Sequence, residues 1–265
     1  MSYHDVTIEG DVVRKRYRRT DRGEPTREWA ALVLLDRHAP GLAPRPLAFE
    51  SDPPTVVMSR VTGDPLATVL APGLLPAMHE AYRSLFAVPT QPGTPLRYWN
   101  PAAFFRNNVE WIEKERRHTG LYDPVDRAVA ATREWHAAPP RGIGEILDPV
   151  IAQGDGNVDN MLWDGSRVRL IDFEGFGVGD LAFEVADLAE HISSRLRGLS
   201  NPEAVIAGFD LSPDCRRRVL AYRVVLATFW LLMLLPGNAG HHRNAEGSDQ
   251  LQALHLLGLL DRAAD

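Results

Sequence analysis

The chain has 265 residues, of which 45% are hydrophobic and 24% charged, with a formal net charge of −6. Those proportions exclude disordered and collagen-like classes, and the acidic balance argues against general binding to nucleic acid. The length suits one large domain or two packed lobes, and the single cysteine, Cys215, cannot form an internal disulfide.

Residues 6–8 and 12–17 read as two strands joined by Glu9-Gly10-Asp11, where glycine can take positive φ. In the second strand Val13, Lys15 and Tyr17 share one face, and Arg14 and Arg16 the other. A helix is predicted over residues 26–38, capped by Thr26, with Trp29, Leu32, Val33 and Leu35 as its apolar side. Residues 46–49 and 55–58 read as two more strands about the turn Ser51-Asp52-Pro53-Pro54. The irregular stretch Val61-Thr62-Gly63-Asp64-Pro65 then sets a boundary. It separates a lobe of residues 1–61, a small sheet with one helix, from a mainly helical lobe of residues 62–265.

Helices are predicted over residues 72–86, 101–118 and 124–137, the last ended by the proline-rich stretch 138–141. Residues 162–163 and 168–171 read as a hairpin closed by Asp164-Gly165. Asp180 can cap a helix reaching His191, and residues 210–235 and 250–265 read as further helices. The most apolar stretch, residues 219–235, contains Arg223, Tyr222 and Thr228 and falls short of the roughly 20 clean apolar residues that span a bilayer. It reads as a buried core helix. The first ten residues show no secretory signal, so a cytoplasmic protein without membrane contact is expected.

The informative block is Gln153-Gly154-Asp155-Gly156-Asn157-Val158-Asp159-Asn160, followed by the hairpin and then Ile171-Asp172-Phe173-Glu174. Phosphoryl transfer needs such groups, because negative charge spreads over the oxygens of the transferred group and must be met by cations in fixed geometry. Magnesium prefers a few protein oxygens together with phosphate and water. Asp172 offers a carboxylate oxygen and Asn160 an amide oxygen, while Asp155 can orient an acceptor hydroxyl and take its proton. Singly, each has a structural reading: a turn residue at Asp155, a side-chain cap at Asn160, a strand end at Asp172. Together, within the apolar frame of residues 150–151, 161–162 and 168–171, they form a specific set.

This block resembles the catalytic segment of the aminoglycoside phosphotransferases and related small-molecule kinases, which share the protein-kinase-like fold. Their pattern is His-Gly-Asp, an asparagine five residues after the aspartate, then Ile-Asp-Phe or Ile-Asp-Trp. The resemblance implies an α+β, two-lobed fold with a reduced N-terminal sheet lobe, with Asp155 as catalytic base and Asn160 and Asp172 as magnesium ligands. It also implies ATP or GTP as phosphoryl donor. A strand lysine, Lys15, would hold the nucleotide phosphates, and a helix glutamate, Glu28, would orient it. Residues 55–61 look like the last strand and hinge of the nucleotide lobe, which puts Met58, Ser59 and Val61 beside the base. Two departures stand out: Gln153 replaces the histidine, and no glycine-rich loop precedes Lys15, since only fourteen residues do.

The expected activity is small-molecule O-phosphotransfer to a hydroxyl, with Glu174 and Asn157 as acceptor-site candidates. Acidic residues after Asp172 would favour a cationic acceptor such as an aminoglycoside or another amine-bearing alcohol, hence a link to antibiotic resistance. Glu184 and Asp187 also have a structural reading, on a helix surface or anchoring loops. A protein kinase is a weaker reading, because no Ala-Pro-Glu segment follows Asp172. A nucleotide-binding regulator without turnover is a third, drawn from the missing loop and Gln153. A monomer is expected.

Overall fold

In the computed structural model, which describes residues 4–66, 73–115, 124–195 and 201–264, the chain opens with a tight hairpin. β1 (Asp5–Glu9) and β2 (Val12–Arg16) pair antiparallel, with Glu9 opposite Val12. Gly10 and Asp11 alone turn the chain, and Gly10 at φ 59° supplies the left-handed backbone that so short a turn demands. Between β1 and the Lys15 strand there is therefore no long glycine-rich loop.

α1 (Glu24–His38) begins two residues earlier than its apolar spacing implies. Gly23, at φ 72°, is the cap, and Pro25 lies in the first turn, where helical N–H groups have no partner in any case. Thr26 does not cap; its Oγ1 donates back to Gly23 O at 2.9 Å. β3 (Pro46–Ser51) and β4 (Pro54–Ser59) complete an antiparallel sheet in the order β1-β2-β4-β3. Central β4 contributes buried Val56, Val57 and Met58, and α1 contributes Leu32 and Leu35.

The stretch read as irregular contains a short strand, β5 (Asp64–Pro65). Beyond it come α2 (Leu74–Phe86), β6 (Pro149–Ala152), β7 (Met161–Trp163), β8 (Val168–Leu170) and β9 (Gly177–Asp180). β5 joins the β7–β8 hairpin in the order β5-β7-β8, and β6 pairs antiparallel with β9. Gly63 permits the first of these: a Cβ there would lie 2.7 Å from Trp163 O, so only glycine lets the backbones approach. The β7–β8 turn is drawn together by Asp164, whose Oδ1 accepts from Arg167 N (2.8 Å) and Ser166 N (2.9 Å). Those two donors hold its carboxyl low, at about 2.

These elements form one compact unit, Met1–Trp99 with Pro149–Leu181 and Ala207–Phe209. The other unit, Asn100–Asp148 with Ala182–Ile206 and Asp210–Asp265, is helical. Its helices are α3 (Pro101–Glu115), α4 (Val125–Ala137), α5 (Leu181–Glu190), α6 (Ile192–Arg195), α7 (Pro202–Ala207), α8 (Pro213–Leu234) and α9 (Ser248–Ala264). The predicted limits at Pro72, His118 and Asp265 lie outside the described residues. Ser212 caps α8 by accepting from Cys215 N at 3.1 Å, so the helix starts at Pro213, three residues after the predicted start at 210. Ile112, Val129, Val224, Leu231, Leu256 and Leu259, from α3, α4, α8 and α9, share one apolar core, as a buried α8 requires. Among the described residues no helix is long and apolar enough to cross a membrane.

Candidate active site

The loop from Gln153 to Asn160 is built between β6 and β7. Gly154 has φ 98°, and a Cβ on it would fall 2.3 Å from the backbone of Gly175. Two loops therefore touch backbone to backbone at that point. Gln153 braces the same region from its buried position: Nε2 donates to Ile171 O at 2.6 Å, and Oε1 accepts from Tyr82 OH at 2.7 Å. Arg97 adds a bond from its guanidinium to Gly154 O at 3.1 Å.

Asp155 is exposed at the surface of this loop. Its Oδ1 accepts from Asn157 N at 3.1 Å, and its Oδ2 from Asn160 Nδ2 at 3.1 Å. Asn157 Oδ1 accepts from Asp159 N at 3.1 Å and so caps the 3₁₀ turn Val158–Asn160. Asn160 O accepts from Ile171 N at 3.0 Å, extending the β7–β8 ladder by one step. Asp172 is the residue that follows Ile171 in the chain. Asp172 is the one non-glycine residue with positive φ (64°) among the described residues. Such a backbone costs of order 1–3 kcal/mol and is characteristic of functional sites.

Lys15 reaches Asp172 from β2. Its Nζ lies 2.5 Å from Asp172 Oδ1, 2.7 Å from Glu28 Oε2 and 3.4 Å from Glu174 Oε2. Glu28 is buried in α1, where Tyr17 OH also donates to Oε2 and Phe173 N to Oε1 at 3.4 Å. Burial alone would lower the Lys15 pKa, but Glu28, Asp172 and Glu174 outweigh it and hold the ammonium above the usual lysine range. Burial, then Glu28, pushes the Tyr17 phenol up. Partial burial raises the Asp172 carboxyl above the usual carboxylate range, with Lys15 opposing and Glu28 and Glu174 reinforcing the rise.

The first unit thus brings together Lys15, Glu28, Asp172 and Glu174 in one cluster, and Asp155, Asn157 and Asn160 in an adjoining loop. The donor chemistry fits magnesium. Asn160 gives its amide nitrogen to Asp155, which leaves the amide oxygen of Asn160 as a hard donor. Among the described residues no group of three acidic, histidine or cysteine side chains is arranged to hold a metal, so a cation beside Asn160 and Asp172 would take its other contacts from phosphate and water. Of the hinge residues, Met58 is buried opposite Val13 in the sheet. The N–H groups of Ser59 and Arg60 are spent within the protein, on Arg45 O (2.9 Å) and Asp11 O (2.7 Å).

Several contributors escape a reading of the sequence. His4 Nε2 lies 2.9 Å from Glu174 Oε2, and Tyr82 and Arg97 brace the loop that carries Asp155. Tyr17 alone had a local signal, its alternation with Lys15. The other three contacts join residues 170, 71 and 57 apart, which no local spacing encodes. Glu184 and Asp187 lie buried in α5 rather than on its surface.

Residues 2–221 match the family model described as phosphotransferase enzyme family. A choline/ethanolamine kinase family protein from Mesorhizobium loti shares the fold with a TM-score of 0.63 at 18% identity, over 98% of this chain and 86% of that one. A GDP complex of aminoglycoside 2′-phosphotransferase IIIa gives a TM-score of 0.63 at 20% identity, over 99% of this chain and 88% of that one. Aminoglycoside phosphotransferase APH(4)-Ia gives 0.60 at 18% identity, over 100% and 92%. No curated protein matches the sequence. At these identities the likeness is one of fold: a small antiparallel sheet with a mostly helical remainder, the α+β architecture of the protein-kinase-like enzymes.

Proposed function

The chain belongs to the phosphotransferase enzyme family and is a small-molecule kinase, and we propose that it moves the γ-phosphoryl group of ATP or GTP to a hydroxyl of an amine-bearing alcohol. The observation that carries this is the bond from Asn160 to Asp155, with Asn160 also bonded to Ile171, the residue before an Asp172 that Lys15 already holds. Asp155 accepts the proton of the acceptor hydroxyl. The acceptor oxygen then bonds to the γ-phosphorus, and the bond from phosphorus to the bridging β–γ oxygen breaks, releasing the nucleoside diphosphate. Asn160 and Asp172 would hold magnesium, which when bound neutralises charge on the transferred oxygens. Lys15, oriented by Glu28, donates to the nucleotide phosphates.

Residues 1–61 carry the nucleotide in this proposal, with the base against Met58 and the hinge from Ser59 to Val61. The commitment of the Ser59 and Arg60 amides favours Val61 as the backbone contact. Residues 62–265 carry the catalytic segment and the acceptor. Asn157, one residue beyond Gly156, is the acceptor contact we favour. The ties of Glu174 to His4 and Lys15 draw that carboxylate toward the nucleotide side instead. An aminoglycoside-like antibiotic is one acceptor of the right chemistry, and its phosphorylation would confer resistance. A protein of this fold is described in complex with GDP and kanamycin, which supports a cationic acceptor. We place the protein in the cytoplasm as a monomer.

The test is mass spectrometry on a panel of hydroxylated antibiotics and amino alcohols, each incubated with ATP or GTP and magnesium. A product heavier by one phosphate is expected. Asp155→Ala should slow its formation by roughly 10²–10⁴-fold while nucleotide binding persists. An unchanged rate in Asp155→Ala would remove Asp155 from the chemistry.

A further inference from the structure

Lys15 faces a difficulty that the proposed reaction must resolve. An ammonium has three N–H donors, and here three carboxylates, Asp172 at 2.5 Å, Glu28 at 2.7 Å and Glu174 at 3.4 Å, take them. No donor is left for a phosphate oxygen. One carboxylate has to give way before Lys15 can grip a nucleotide.

The three are not equally held. Glu28 is almost wholly buried, its side chain 2% exposed, and it also accepts from Tyr17 OH and Phe173 N. Asp172 makes the shortest bond, though its side chain is 37% exposed. Glu174 makes the longest, and its side chain is 40% exposed. It also has somewhere to go. The oxygen that touches Lys15, Oε2, lies 2.9 Å from His4 Nε2. Arg18 N–H points at Nδ1 of the same ring at 3.4 Å, which makes Nδ1 the acceptor and Nε2–H the donor toward Glu174. The ring of His4 is itself buried against Tyr17, with centroids 4.6 Å apart.

Resting on the proposed function, we infer that Glu174 stands in for a phosphate oxygen on Lys15, and that His4 is the positioning residue that takes Glu174 over when the nucleotide arrives. The pair sets the affinity for the phosphate tail rather than for the base. Its chemical target is a nucleoside triphosphate. Glu174 acts against binding by its negative charge, and His4 acts for binding by drawing that charge away.

The experiment is direct binding, without turnover, of the imido analogues of ATP and GTP. Adenosine and guanosine serve as phosphate-free controls, each measured with and without magnesium. Four proteins are compared: wild type, Glu174→Gln, His4→Phe and the double variant. Phenylalanine keeps a ring against Tyr17 while removing the N–H. Removing one like charge within about 4 Å of the phosphate site should tighten triphosphate binding on the order of tenfold in Glu174→Gln, with nucleoside binding unchanged. His4→Phe should weaken triphosphate binding several-fold in the wild-type background and have no effect once Glu174 is glutamine, the coupling expected of two residues in contact. Triphosphate binding that is unchanged or weaker in Glu174→Gln overturns the inference. Weakening confined to the magnesium arm overturns it too, by making Glu174 a metal ligand. If wild type binds neither analogue, the proposed function fails first and this inference falls with it.

Discussion

Gly154 shows how little freedom the loop before Asp155 has at single positions. Its φ of 98° is costly for any residue with a Cβ, and an added Cβ would sit 2.3 Å from the Gly175 backbone. Gly154→Ala should therefore combine roughly 1–2 kcal/mol of left-handed strain with overpacking of a similar size. The expected outcome is a lower melting temperature, with a displaced Asp155 and a loss of transfer activity out of proportion to the loss of stability. An unaltered melting curve would mean that the two loops do not meet as described. Residue identity in this loop was legible because its chemistry is concentrated in one short block, Gln153 to Asn160, with Asp172 only twelve residues beyond. Gln153 shows the limit of that legibility. As a departure from the family pattern it was visible, but its work became clear only through Tyr82 and Ile171, which it joins by side-chain bonds of 2.7 and 2.6 Å. His4 was not legible at all, since nothing in residues 1–5 announces a partner at position 174.

Among the elements, α4 carries a group that ties stability to pH. His136 is buried near the end of that helix, its Nδ1–H donating to Thr132 O at 2.8 Å and its Nε2 facing Asn108 Nδ2 at 3.3 Å. Asn108 Nδ2 also donates to Val225 O at 2.7 Å, so its hydrogens point outward at the ring. A proton on Nε2 would meet another donor there. Burial lowers the pKa to about 4, although the bond to Thr132 acts the other way. The folded value lies below the ordinary 6.5, so the unfolded chain takes up the proton first as pH falls. Above 6.5 the ring is neutral in both states and contributes no pH dependence. Between about 6.5 and about 4 stability drops, by roughly 3 kcal/mol in all from this group. Thermal melts from pH 7.5 to 4 should show that slope, and it should be shallower in His136→Gln; parallel slopes would exonerate His136. Element prediction succeeded where apolar periodicity ran long, as in α1, α4 and α8. It missed β6 and β9, which are four residues each and pair across more than twenty intervening positions. Gly177 and Gly179 gave β9 the look of a loop, and β5 is only two residues long. In these cases tertiary pairing, not local preference, makes the strand.

At the scale of the whole molecule, the residues assigned to chemistry lie in one of its two compact units. Lys15, Glu28, Asp155, Asn160, Asp172 and Glu174 all belong to the unit that contains the three sheets. Hydrogen exchange should report this. Saturating nucleotide analogue with magnesium should slow exchange most around residues 12–17 and 24–28, through the loop from 153 to 160, and at 171–174. At a hundred times its dissociation constant the ligand should also raise global stability by about 2.7 kcal/mol. Protection confined to the helical unit would place the nucleotide elsewhere and refute the assignment. The family resemblance made the two-lobed architecture legible from about fifty residues, but not the way the chain is shared out between units. That partition depends on which distant segments pack together, and the β6–β9 and β5–β7 pairings that bind the first unit left no trace in periodicity.

The first unit is assembled from separate stretches, and the ribosome delivers them in sequence. Lys15 and Glu28 emerge early, whereas Asp172 and Glu174 follow only after the whole of Asn100–Asp148, which belongs to the other unit. At roughly 5–20 residues per second, the lysine waits roughly 8–30 seconds for the last two of its carboxylates. A nascent chain in that interval has only Glu28 of the three carboxylates that meet the lysine, and still lacks Asp172, one of the two residues proposed to hold magnesium. On the proposed assignment, a magnesium nucleotide would meet a complete set of contacts only once Asp172 and Glu174 have joined Lys15, while α8 and α9 of the helical unit are made later still.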